Sequence, residues 1–377
     1  MKQISMVDLA SQYLRIKDEI DSAIQGVIDS TAFIKGPDVR AFEEELAVWL
    51  QAGYVISCGN CTDALQIALM SLDLQPGDEV ITTPFSFIST IEVILLLKLV
   101  PVLVDIRPDT FNIDENLIER AISDRTKAII PVHLYGQCAR METIMEIANR
   151  YKINVIEDAA QAIGTDYFFS NGSRKKAGTI GIIGCTSFFP TKNLSCYGDG
   201  GALFTSDEKL ALKLRSLVNH GQNKKYYYDF VGVNSRLDTI QAAILRVKLK
   251  YLAEFNNSRI KAAEFYDKAF GSYPQIKIPY RSEYSSHTFH QYTLTLSGSN
   301  RDGLRNYLKE NQIPSMVYYP LPFHLQKAFL DMNYHEGDFQ VAEEISKSVL
   351  SLPMHSELDE EQLDYITHHV IHFIRNH

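Results

Sequence analysis

Between residues 54 and 158 short apolar runs alternate with amphipathic stretches, and this alternation restricts the fold more than any other feature of the chain. Val55-Ile56-Ser57, 79–83, 102–106, 128–132 and 154–157 have strand composition. Residues 62–72, 114–123 and 141–151 read as helices, with apolar positions at three- and four-residue steps. Such alternation predicts a mostly parallel sheet covered by helices on both faces. Ala128-Ile129-Ile130-Pro131-Val132 has few polar positions, which suits burial on both sides. In open sheets of this class a ligand binds outside the carboxyl ends of the strands. That rule selects 59–62, 85–87, 133–136, 158–161 and 187–192.

The flanks complete an α/β organisation. Leu9, Tyr13, Ile16, Ile20, Ala23, Ile24 and Val27 recur at helical spacing, Gly36-Pro37 marks a turn, and a second helix covers roughly 38–50. Beyond residue 210 the chain turns more helical. Its 237–252 stretch is strongly amphipathic and 256–270 continues as a charged helix. A second alternation, strand 292–296 and helix 301–311, predicts a smaller α/β domain. The expected division is a large domain over 1–249 and a small C-terminal domain over 250–377, joined by a continuous helix. No internal repeat or Pro/Ser-rich linker interrupts the chain.

Composition removes several classes of function. The 377 residues suffice for two domains and a sizeable core. A net charge of −9 argues against nucleic acid, which requires a clustered basic face. The first residues lack the pattern of a signal peptide. The longest apolar run, 93–104, is broken by Lys98 and Pro101 and is too short to span a bilayer. A soluble cytoplasmic protein without a membrane partner is expected. The five scattered cysteines read as free thiols: Cys58 and Cys61 have C-x-x-C spacing, but no second pair completes a zinc site, so no metal is expected.

The chemistry concentrates in 184–207. A β-prone run, 185–189, stops at Pro190, Lys192 follows, and Gly198-Asp199-Gly200-Gly201 leads into another strand, 202–205. Glycines at this density permit close backbone approach and supply positive φ where needed. A lone lysine held on such a turn is a candidate for an amine of shifted pKa that forms a Schiff base with a carbonyl. Most loop lysines are solvated surface charges, so the neighbours decide. Gly59-Asn60-Cys61-Thr62 lies between a strand and a helix, where free N–H groups and the helix dipole favour a phosphate; ordinary turn and cap chemistry is the plainer alternative. Asp158 ends a strand, as a helix cap or as the carboxylate that pairs with a protonated ring nitrogen. Phe87 is core or a stacking face. Ser187, five residues before Lys192, bonds a local backbone group or a phosphate. Singly each favours the plain reading. Jointly they supply a phosphate cradle, a stacking face, a pyridinium partner and a Schiff-base lysine, the set that pyridoxal 5'-phosphate (PLP) requires.

With these residues in view the chain resembles the DegT/DnrJ/EryC1/StrS family of PLP-dependent nucleotide-sugar aminotransferases over essentially its whole length. The matching segments are Gly36-Pro37, Asn60-Cys61-Thr62-Asp63-Ala64-Leu65, Pro76-Gly77-Asp78-Glu79-Val80-Ile81, Val132-His133-Leu134-Tyr135-Gly136-Gln137, Glu157-Asp158-Ala159-Ala160-Gln161, 187–201, Gly232-Val233-Asn234-Ser235-Arg236 and Tyr319-Pro320-Leu321-Pro322. The resemblance implies PLP-dependent transferase fold type I, aspartate aminotransferase-like, and a homodimer with shared active sites. It implies Lys192 as the Schiff-base lysine, Asp158 as the partner of the pyridine nitrogen and Gln161 near the ring. Cys61, Thr62 and Ser187 stand at the phosphate, Phe87 stacks, and Asn234 reaches the phosphate of the neighbouring subunit. Arg236, Tyr318 and Tyr319 are implied on the substrate side. Cys61 departs from the glycine of many members, and a Cβ there would be strained if the backbone required positive φ.

Within the family, 186–201 is most similar to enzymes that aminate UDP-2-acetamido-2-deoxy-3-oxo-glucuronate with glutamate, for surface polysaccharides such as lipopolysaccharide O-antigen. Tyr318 departs from the histidine those enzymes tend to carry. The resemblance therefore also admits dTDP- or UDP-linked 3- or 4-keto-6-deoxy sugars as substrates. A PLP dehydratase is disfavoured because lysine, not histidine, stands at 192. A regulatory protein on an enzyme scaffold is disfavoured by the complete lysine constellation.

Overall fold

The computed structural model describes residues 3–297 and 300–376. Three helices lead in, α1 (Leu9–Arg15), α2 (Lys17–Ser30) and α3 (Pro37–Leu50). The alternation then proceeds as β1 (Tyr54–Cys58), α4 (Cys61–Ser71), β2 (Glu79–Thr82), α5 (Ser89–Leu96), β3 (Val100–Leu103), α6 (Glu115–Ile118), β4 (Thr126–Ile129), α7 (Met141–Tyr151) and β5 (Asn154–Asp158). A hairpin of β6 (Asp166–Phe168) and β7 (Arg174–Lys176) precedes β8 (Ile183–Ser187), β9 (Gly201–Thr205) and α8 (Glu208–Leu217).

Seven strands form one sheet in the order β1-β9-β8-β5-β4-β2-β3. β9 runs antiparallel to both neighbours, and every other adjacent pair is parallel. β1, β2, β3, β4, β5 and β8 therefore present their carboxyl ends at the same edge. Period-two alternation divides their side chains between two cores. Val80, Ala128 and Ile156 pack with Leu65, Ile67 and Leu214 on one face, while Ile81, Ile129 and Val155 pack with Met141, Ile144 and Ala148 on the other. Each fully buried aliphatic side chain contributes roughly 1.5–3 kcal/mol.

Strand limits differ from the sequence expectation where proline intervenes. β4 ends at Ile129, two residues before Pro131, which has no N–H for a ladder. β3 includes Pro101, tolerated because β3 is an edge strand. α5 was not anticipated: Ile91, Val93 and Ile94 are buried in an almost wholly apolar stretch without the polar face that marks an amphipathic helix.

After α8 comes a hairpin of β10 (Gln222–Lys224) and β11 (Tyr227–Tyr228), then α9 (Thr239–Phe270), 32 residues without interruption across residue 250. β12 (Ile276–Lys277), β13 (Tyr292–Leu296) and β14 (Val349–Leu352) make a three-stranded antiparallel sheet. α10 (Arg301–Glu310), α11 (Gln340–Ser348) and α12 (Glu360–Asn376) accompany it. Its core joins Leu294, Leu304, Leu350 and Val370 to Ala263, Tyr266 and Phe270 of α9. Among the described residues no helix is long and apolar enough to cross a membrane, and all five cysteines are free and buried.

Candidate active site

The carboxyl edge of the sheet brings the chemical groups together. β1 ends at Cys58, and Asn60 caps α4 by accepting the Asp63 N–H on its side-chain oxygen at 2.8 Å. The first N–H groups of α4, on Cys61 and Thr62, have no acceptor inside the helix and carry its positive dipole end. Thr62 Oγ1 lies 2.6 Å from Ser89 Oγ at the start of α5. Cys61 is the first helical residue and does not have positive φ, so its Cβ meets no backbone strain. The glycine turn likewise works by proximity and not by left-handed backbone. Gly198, Gly200 and Gly201 all lack positive φ, but a Cβ on Gly201 would stand 2.5 Å from the Asn60 backbone. Only glycine lets β9 back onto the turn that opens α4.

Ser187 ends β8, and its hydroxyl accepts the Phe189 N–H at 3.3 Å. The loop beyond it is closed by Lys192 N–H to Phe189 O at 2.8 Å and Cys196 N–H to Phe188 O at 2.7 Å. α9 fixes the same loop from behind. Gln241 Oε1 accepts the Tyr197 N–H at 2.8 Å, Lys248 Nζ donates to Ser195 Oγ at 3.0 Å, and Asn193 Nδ2 donates to Asn256 Oδ1 at 2.7 Å. The Lys192 amine lies in a poorly solvated setting that pushes its pKa down, against the opposing pull of Cys61 and Asp158.

Asp158 is buried at the end of β5. Thr90 Oγ1 donates to its Oδ2 at 2.8 Å and Ala160 N–H to its Oδ1 at 3.2 Å. Burial pushes the carboxyl up, while Thr90, Ala160, Lys192 and His133 draw it back. One residue earlier, Glu157 is wholly buried and accepts four hydrogen bonds: Ile180 N–H and Gly181 N–H at 2.6 Å, Gly178 N–H at 2.9 Å and His133 Nε2 at 2.8 Å. His133 Nδ1 accepts the Ala139 N–H at 3.2 Å, which assigns the ring proton to Nε2. This network fixes the strand end that carries Asp158.

Gln161 accepts the Tyr135 N–H at 2.8 Å and donates to the Tyr319 hydroxyl at 3.1 Å. Tyr318 receives the Tyr135 hydroxyl on its carbonyl and lines a cavity of 240 Å³ with Thr191, His290 and Gln291. Phe87 lies in the loop beyond β2, not on the strand, and is 57% exposed. Thr62, Phe87, Asp158, Gln161, Ser187 and Lys192 thus all follow carboxyl ends of one sheet.

Asn234 and Arg236 are placed differently. Asn234 is exposed, and Arg236 lines a separate cleft beside α3. Arg236 precedes α9 by three residues and so lies outside the helix. Between them, Ser235 Oγ accepts the Gly59 N–H at 2.9 Å and donates to Asp63 Oδ2 at 2.6 Å, which ties this segment to the α4 turn.

Sequence reasoning missed Ser89, Thr90 and His290. The first two begin the unrecognised α5, where Ser-Thr ahead of an apolar run was an available signal. His290 is pushed far below its ordinary pKa by burial, Lys192 and Arg259, and nothing local marks it.

The donor set fits PLP. The hydroxyls of Thr62, Ser89 and Ser187 and the free N–H groups of α4 suit a phosphate, the buried Asp158 carboxylate and the Lys192 amine act on each other, and the exposed Phe87 ring is free to stack. A profile of the DegT/DnrJ/EryC1/StrS aminotransferase family matches residues 14–371. The chain is 46% identical over 377 residues to a protein of Geobacillus stearothermophilus named a pleiotropic regulatory protein, covering 99% of each. It is 45% identical over 365 residues to UDP-2-acetamido-2-deoxy-3-oxo-D-glucuronate aminotransferase of Pseudomonas aeruginosa, covering 96% of this chain and 98% of that one. The solved structure of ntda from Bacillus subtilis with bound cofactor PMP superimposes with a TM-score of 0.88 at 35% identity, over 95% of this chain and 82% of that one.

Proposed function

The chain belongs to the DegT/DnrJ/EryC1/StrS aminotransferase family, and from that premise we propose that it is a PLP-dependent transaminase acting on a nucleotide sugar. Glutamate is the amino donor and UDP-2-acetamido-2-deoxy-3-oxo-glucuronate the favoured acceptor, by similarity to the Pseudomonas enzyme. The observation that carries the reading is the convergence of Lys192 and Asp158, each within the other's field, at the edge where α4 offers its N–H groups.

When bound, PLP supplies an aldehyde for the amino group and an electron-poor ring that stabilises a carbanion. The residues of this chain do the rest. Thr62, Ser89 and Ser187 with the first N–H groups of α4 would hold the phosphate. Asp158, kept in place by Thr90 and the Glu157 network, would hold a proton on the ring nitrogen through its charge. Phe87, exposed beyond β2, would offer its ring for stacking. Lys192 Nζ, biased toward its neutral form by burial, takes up and returns the proton at the amino donor's carbon. Tyr319, bonded to Gln161, and Tyr318 border the side where the sugar enters.

The protein acts as a homodimer with shared sites. In support, Arg236 lines a cleft that shares no residue with the cavity of Thr191 and Tyr318, Asn234 faces solvent, and the adjoining β10–β11 arm and the residues after it expose Tyr226 by 73% and Val231 by 89%. An arginine suits bidentate capture of a carboxylate or diphosphate, so Arg236 serves the neighbouring Lys192. A second reading, a 3- or 4-keto-6-deoxy sugar nucleotide, draws on Tyr318, which lines the cavity with Thr191 and His290 and adds no positive charge for a uronate. The test is a panel of UDP- and dTDP-linked keto sugars assayed with glutamate, with products identified by mass. Amination of the UDP-3-oxo-uronate confirms the favoured acceptor, amination of only the 6-deoxy sugars selects the second, and no amination of any sugar refutes both.

A further inference from the structure

The segments that lead into α3 and α9 are stitched together. The Thr239 N–H donates to Phe33 O at 3.0 Å, Ile34 pairs antiparallel with Asp238, and the Gly36 N–H donates to Thr239 Oγ1 at 3.0 Å. A Cβ on Gly36 would come within 2.7 Å of the Thr239 side chain, so this seam closes only around glycine. The seam sets Lys35, on one segment, and Arg236, just ahead of the other, on a common cleft of 610 Å³ beside α3 and β1.

The other charges of this cleft are already matched. Arg215 bonds Glu43 at 2.7 Å, and the second Glu43 oxygen accepts the Ser57 N–H at 2.8 Å and the Ser57 hydroxyl at 2.7 Å. Arg40 pairs with Glu44 at 2.7 Å. Among the described residues Lys35 and Arg236 have no ion pair or side-chain hydrogen bond. Partial burial, and then the charge of Arg236, push the Lys35 amine below its ordinary value. Two neighbouring cations without a counter-charge repel each other, and an oxyanion between them turns that repulsion into attraction.

We propose that Lys35 and Arg236 together form a two-pronged oxyanion site for the charged part of the substrate, Arg236 as a planar fork and Lys35 as a point charge. The inference rests on the nucleotide-sugar reading above and assigns to Lys35 a share in recognition. Both the diphosphate and a sugar carboxylate offer the required chemistry. The test is calorimetric binding of UDP, UDP-glucose and UDP-glucuronate to the holoenzyme, comparing wild type with Lys35→Asn and Lys35→Arg. Asparagine tolerates the left-handed backbone of this position, φ 53°, so its effect is not one of strain. Lys35→Asn is expected to weaken UDP-glucuronate about tenfold, and Lys35→Arg to restore most of the loss. Equal weakening of all three ligands identifies the diphosphate as the anion, and weakening of UDP-glucuronate alone identifies the carboxylate. Unchanged affinity of Lys35→Asn for all three overturns the inference and leaves the nucleotide-sugar reading intact. Failure of the wild type to bind any of them overturns that reading, and the inference with it.

Discussion

Lys248 offers a quantitative test of the scaffold behind the Lys192 loop. It is 1% exposed, donates to Ser195 Oγ at 3.0 Å and stands 4.3 Å from the Tyr197 ring centroid, with no carboxylate in ion-pair contact among the described residues. Burial lowers its pKa to about 8 from an ordinary 10.5. Between those values the unfolded chain binds more protons than the folded one, so stability rises with pH across the window. Lys248→Met keeps the length of the side chain and abolishes the titration. Integrated from pH 7 to pH 10, the wild type should gain about 2.5 kcal/mol relative to the variant. Urea unfolding of both proteins at the two pH values measures this, because every other titrating group cancels in the difference. A wild-type-minus-variant difference that stays constant with pH would refute the argument, since it would mean the amine is solvated or paired in the folded protein.

Three further outcomes follow from the site. Asp158→Asn should lower turnover at least about a hundredfold with the cofactor still bound, because an amide holds no ring proton by charge; near-normal turnover would reduce Asp158 to a helix cap. Glu157→Gln should destabilise the protein by about 3 kcal/mol or more, because an amide oxygen can satisfy one pair of its four donors while the NH₂ group faces the other. An unchanged unfolding midpoint would contradict the network. Lys192→Ala and Arg236→Ala should each be inactive, yet regain activity when mixed under subunit exchange, since some heterodimers then hold one intact site. Proven exchange without recovered activity rules the shared site out.

The sequence by itself determined what depends on local pattern. Period-two and three-to-four-residue repeats are set by backbone geometry within a few residues, so α7 and β13 fall at the expected limits and the sheet is mostly parallel. The rule that ligands bind beyond strand carboxyl ends then pointed to Thr62, Asp158, Gln161, Ser187 and Lys192 without knowledge of strand order. The tertiary structure alone decided which groups support them. Thr90 meets Asp158 across 68 residues, Lys248 meets Ser195 across 53, and Gly36 meets Thr239 across 203. Such pairings are selected by burial, where a polar group taken out of water must find a partner wherever the chain brings one. The strand order placed β9 against β1, and so made Gly201 a requirement of close approach where the local sequence suggested only a turn. Neither the seam that sets Lys35 beside Arg236 nor the four donors around Glu157 leaves a local trace, because each is made from residues whose spacing in the chain carries no period.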